Sequence, residues 1–279
     1  MAPILALLSA ALYGTADFLG GMASRRATVF AAAVAAGTVG LVLLAVALPL
    51  VPAAPLTRSV VLWSLGAGAT GAAGVGLLYY GFAMGRVSVV APVSAVCSIA
   101  IPVMVGLGLG ERPTMLALIG ILLAVISVAL ISRHDDPATA SGQRDHSLAI
   151  ALASGVAIGG FLVCLARSGT QSGVWPLLIS RCISTLGLAL VARARRVSIA
   201  LPRAAVPAAV GCGMLDVTAN ACYLFAARGG SLGLIATLAS LYPASTVLLA
   251  RVVLGERLKL AQSLGLACAA VAIVLITSR

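Results

Sequence analysis

Polar residues in this chain punctuate long apolar runs instead of alternating with apolar ones. Each run is about as long as the ~20 residues a helix needs to cross a bilayer's hydrocarbon core. Ten such runs fall near 3–20, 28–50, 60–82, 87–109, 113–132, 147–166, 174–192, 204–226, 232–254 and 258–277. Most of the turns between them are short. The exception is residues 133–146, "RHDDPATASGQRDH", a polar segment at the middle of the chain. The pattern therefore predicts an all-α membrane protein of ten transmembrane helices, with five-helix units over 1–132 and 147–279 joined by a linker over 133–146.

The two units repeat each other. "LGERPTMLALIGILLAVISVALISR" starts at Leu109 and "LGERLKLAQSLGLACAAVAIVLITSR" at Leu254, an offset of 254 − 109 = 145 residues. On that offset Gly120 matches Gly265 and Ala124 matches Ala269. Five crossings per unit return the second copy to the membrane from the opposite face, so the repeats are expected to be inverted. Inverted repeats are a recurring plan of secondary transporters, with the substrate site near the bilayer midplane at the repeat interface.

Composition supports the membrane reading and removes other classes. The 279 residues are 61% hydrophobic and 9% charged, whereas a soluble domain carries about 25% charged residues. The N-terminal run lacks a basic leader and a cleavage site, and reads as an uncleaved first span. A net charge of +11 could suggest nucleic-acid binding, but the arginines sit singly or in small groups between apolar runs, where charge marks topology. Cys97, Cys164, Cys182, Cys212, Cys222 and Cys268 all fall inside apolar runs without histidine partners. They read as small buried hydrophobes, with no disulfide framework, metal site or cofactor implied.

Ionisable groups inside a span are functional candidates by default. Only Asp17 and Asp216 of the seven acids lie within apolar runs. Asp216, Asn220 and Tyr223 follow one helical face, which is expected to turn toward an internal cavity. Burial disfavours a charged carboxylate, which makes Asp216 a candidate for proton coupling. The alternative is a structural ion pair with Arg181, the one arginine well inside a span; Arg181 could instead meet an anionic substrate group. Asp17 is read either as a substrate contact or as an interfacial partner of Arg25 and Arg26. Pro92 and Pro102 in the fourth span and Pro243 in the ninth occupy corresponding helices of the two units. Proline removes a backbone donor and crowds the preceding turn, so all three are expected helix breaks or packing kinks. Tyr242, beside Pro243, is a cavity candidate.

The stretches "LYGTADF", "LGERPTMLALIGILLAVISVALIS" and "SLYPASTVLLARVVLGERLKLAQSLGLACAAVAIVLI" resemble ten-helix proteins of the drug/metabolite transporter superfamily built from two EamA domains. The resemblance covers nearly the whole chain. The expectation is a multi-pass carrier in the cytoplasmic membrane, among lipids, moving a small metabolite or amphiphile in efflux, as a monomer or homodimer; the resemblance itself implies an efflux or uptake carrier for small metabolites. It names no substrate. It also implies cytoplasmic termini, whereas the arginine-richer set of turns, with "RARR" at 193–196, would place the termini outside by the positive-inside rule. An intramembrane enzyme is the rival reading, but His134 and His146 both lie in the linker and no span carries HExxH or Gly-x-Ser-x-Gly. A channel-like scaffold is the other, and two matching halves suit it less than a rocking carrier.

Overall fold

The computed structural model describes residues 1–51, 54–83, 87–131, 144–254 and 260–278, excepting the side chains at 79, 81–83, 87–92, 144–147, 250 and 254. The first unit contributes α1 (Ala2–Ser24), α2 (Val29–Ala47), α3 (Arg58–Ala83), α4 (Val87–Gly108) and α5 (Met115–Ile131). The second contributes α6 (Arg144–Arg167), α7 (Trp175–Ala194), α8 (Val206–Arg228), α9 (Leu232–Ala239), α10 (Tyr242–Leu254) and α11 (Leu260–Thr277). Segments α9 and α10 are the two parts of one interrupted span, so the described residues form ten spans. Among the described residues, eight spans are long and apolar enough to cross a membrane, and the stretches Val93–Gly108 and Met115–Ile131 are shorter.

Helices are the form such segments must take, because lipid offers no partner to an open backbone amide or carbonyl. The side chains are sorted by size. Ala6, Ala67, Ala124, Ala219 and Ala272 are wholly or nearly buried, while Leu62, Leu122, Leu186, Leu190 and Val274 are exposed. Lipid is as apolar as leucine, so the large side chains gain little by turning inward; small ones let helix backbones approach closely.

The strongest packing runs between the units, not within them. Helix α1 lies on α8, α3 on α6, and α5 on α11, with α2 against α7 and α8. The 145-residue offset holds in space. Ser9 donates to the Ala219 carbonyl at 2.8 Å, and Ser154 to the Gly74 carbonyl at 2.9 Å; both partners are shifted by the same amount (154 − 9 = 219 − 74 = 145). At the α5–α11 crossing, Gly120 faces Ile276 and Gly265 faces Ile131. The start of each helix thus meets the end of the other, so the two copies run antiparallel. A Cβ on Gly120 would stand 2.8 Å from the Ile276 side chain, and one on Gly265 2.7 Å from that of Ile131. These contacts admit only glycine without displacement.

The "LGER" turn has a local explanation. Gly110 adopts φ +88°, its amide donates to Leu107 at 3.0 Å, and the Glu111 amide donates to Gly106 at 3.0 Å. That is the double-bonded helix stop for which a left-handed glycine is the usual residue. Glu111, placed just beyond it, reaches into the other unit. Its carboxylate accepts from the amide of Leu232, and from that of Gly233 at 3.0 Å. These are the first two amides of α9, and Ser231 receives the amide of Leu234 at 3.5 Å. A carboxylate at a helix N-terminus meets both the orphan donors and the positive end of the dipole. The second turn, at 255–259, lies outside the described residues.

The proline expectations divide. The interruption between α9 and α10 falls at Ser240–Leu241, immediately before Tyr242 and Pro243. There Leu241 and Ala244 make tightened three-residue bonds to Leu238 and Leu241, at 3.2 and 3.0 Å. The expected break at Pro102 is not found: α4 continues through it, with Pro102 fully buried. Removing one donor deletes one rung, and the packed neighbours of α4 hold the helix across the gap. The Pro92 side chain lies outside the described residues.

Candidate functional site

Where the two units meet, a cavity of about 270 Å3 opens at the middle of the spans. Its wall takes residues from both copies: Tyr13 and Asp17 of α1, Ser98 of α4, Phe161 of α6, Arg181 of α7, Asp216 and Asn220 of α8, and Ser240 and Tyr242 at the interruption. Leu44, Val75, Leu78, Ile158, Leu162, Leu177, Leu188 and Val217 make the rest of the lining predominantly apolar. A small apolar cavity with a few convergent polar groups is the usual form of a small-molecule site.

Its charges are unequally satisfied. Arg181 Nη2 forms an ion pair with Asp216 Oδ2, and the two side chains are 19% and 26% exposed, so the pair touches the cavity without filling it. Asn220 Nδ2 donates to the Asp216 carbonyl at 2.7 Å and to its Oδ2 at 3.3 Å. Asp216 is thus held from two sides. Asp17 is exposed, lines the cavity, and accepts no side-chain hydrogen bond or ion pair among the described residues. Arg26 does not reach it; its Nη1 donates to the Ala204 carbonyl at 2.8 Å.

The hydroxyls are also of two kinds. Those of Ser98, Ser180 and Ser184 bond back to their own helices, to Ala95, Leu177 and Arg181 at 2.8, 3.2 and 3.2 Å. Those of Tyr13 and Ser240 are buried without a hydrogen-bond partner among the described residues. The Tyr13 and Tyr242 rings meet edge to face, with centroids 6.3 Å apart.

Five of the six candidate contact residues from the sequence, Asp17, Arg181, Asp216, Asn220 and Tyr242, are brought together here. Tyr223 is not among them. It is fully buried, and its hydroxyl donates to the Leu162 carbonyl at 3.0 Å, tying α8 to α6. Seven residues along a helix is ~10 Å, enough for one face to pass from a cavity into a packed interface. Tyr13 is the contact the sequence reading missed; it precedes Asp17 by four residues, one turn along the same face.

Comparison with known proteins places the arrangement. No curated protein matches the chain. A solved structure described as "Crystal structure of protein" superposes with a TM-score of 0.79 over 99% of this chain and 96% of that one, at 16% identity, which shows a shared fold. The model of the EamA-like transporter family matches twice, over residues 1–133 and 146–278. Matched over both units, the chain belongs to the EamA-like transporter family and is a multi-pass membrane transporter.

Proposed function

We infer that the chain is a secondary carrier that moves a small metabolite or amphiphile outward across the cytoplasmic membrane, by alternating access around the mid-bilayer cavity. The observation that carries this reading is the cavity's position: its wall is shared by two antiparallel copies and includes the tightened turn that interrupts the ninth span. Discontinuous helices at the repeat interface are where carriers bind substrate, and rocking of one copy against the other exposes such a site alternately to each side. If transport is coupled to protons, Asp17 is the acid available, because Arg181 and Asn220 hold Asp216.

The test is counterflow in proteoliposomes with a panel of amino acids, nucleosides and lipophilic cations. A carrier shows saturable accumulation of a labelled solute driven by the same unlabelled solute inside. Linear, non-saturable flux for every member of the panel would refute the reading.

A further inference from the structure

The ion pair and the unpaired acid together set the charge the cavity prefers. Its wall holds Asp17, Asp216 and Arg181. Arg181 and Asp216 neutralise one another, so one negative charge remains, on Asp17. Beside it on the same helix face is Tyr13, whose ring meets that of Tyr242 and whose hydroxyl, like that of Ser240, lacks a partner among the described residues. A carboxylate without an ion-pair partner, at the wall of a predominantly apolar cavity, attracts a cation more than it would in bulk water. Aromatic faces add to that attraction where the cation is desolvated. A buried hydroxyl without a partner is satisfied only when something arrives to bond it.

We propose that the cavity binds an organic monocation: a primary ammonium group seated at Asp17 beside the Tyr13–Tyr242 pair, carrying an apolar body. Three donor hydrogens suit the ammonium to a carboxylate and adjacent hydroxyl oxygens at once. The body lies against Phe161 and the surrounding leucine and isoleucine side chains, and the volume of about 270 Å3 restricts it to a small molecule. An anion meets the uncompensated Asp17 carboxylate and is repelled. A zwitterion would need a free cation for its carboxylate, and Arg181 is already engaged. This assignment rests on the carrier reading of the cavity and specifies its substrate class.

The test is equilibrium binding to the detergent-purified full chain, with 2-phenylethylammonium, 3-phenylpropanoate and phenylalanine as matched probes. 2-Phenylethylammonium is expected to bind, and the other two to bind more weakly. Asp17→Asn should weaken its binding about tenfold or more, as loss of a charge-assisted contact does, while Asp17→Glu retains it. Size-exclusion profiles of the two variants show whether each is folded, and Asp17→Glu serves as the positive arm if Asp17→Asn is not. Failure to bind 2-phenylethylammonium, tighter binding of the anion or zwitterion, or unchanged affinity in Asp17→Asn would each overturn the assignment. Because the readout is binding, the two proposals fail separately. Counterflow of phenylalanine without ammonium binding overturns only the substrate class; ammonium binding without saturable flux overturns only the carrier reading.

Discussion

Replacing Glu111 with alanine takes both acceptors away from the N-terminus of α9 at once. Among the described residues the amides of Leu232 and Gly233 have no other side-chain partner, and Ser231 serves Leu234. A hydrogen bond to a charged group nets about 1.5–3 kcal/mol. Two of them would reach about 3–6 kcal/mol if wholly buried, but Glu111 is half-buried in a turn, where water replaces part of each. The expected cost is therefore about 2–3 kcal/mol. Glu111→Gln keeps one carbonyl acceptor and loses the charge, so it should cost about half as much. For a chain of this length 1 kcal/mol corresponds to about 2–4 °C, which puts Glu111→Ala about 4–12 °C below the parent in a thermal melt in detergent micelles. Arg112→Ala, at the exposed neighbour, is the control. If Glu111→Ala melts within 1 °C of the parent, or no lower than Arg112→Ala, the clamp contributes nothing and the reasoning fails.

Three further outcomes follow from the packing. Gly120→Ala, whose Cβ would crowd Ile276 Cγ1 at 2.8 Å, should cost about 1–3 kcal/mol in the same melt; Gly265→Ala should cost a similar amount, and Ile276→Ala, which removes Cγ1, should make the Gly120→Ala loss smaller than it is in the parent. Tyr223→Phe removes the bond to Leu162 and should lower stability by about 0.6–1.7 kcal/mol while leaving the apparent KM of any transported solute unchanged. Arg181→Gln strands Asp216 and should cost about 1–3 kcal/mol, discounted for the partial exposure of the pair; adding Asp216→Asn should restore stability, so a double-mutant cycle that closes additively would refute the pairing.

The ten spans and their duplication were legible because both are written in long-period features: apolar run length, and a motif repeated at a fixed offset. The 145-residue offset found in the text reappears as paired contacts, Ser9 with Ser154 and Gly120 with Gly265. The site was legible residue by residue but not in its roles. Asp216 and Asp17 both stand out as acids in apolar runs. Which of them keeps a free carboxylate depends on whether Arg181 on α7 faces α8 or α1, and that is decided by packing between units. Glu111 reads as a turn acid because its partners, the amides of Leu232 and Gly233, are backbone groups that no side-chain pattern reveals. Pro102 and Pro243 look equivalent in the sequence; only Pro243 adjoins an interruption, because whether a missing rung ends a helix depends on the neighbours that brace it.

The interleaving of α1 with α8 and of α3 with α6 has a consequence for how the molecule is made. When residue 131 leaves the ribosome, the surfaces that will cover α1 and α3 have not been synthesised. At ~5–20 residues per second, the first five helices wait roughly 7–30 s in the bilayer for the remaining 279 − 131 = 148 residues. Biogenesis of this protein is therefore an assembly problem between an early and a late product of the same ribosome.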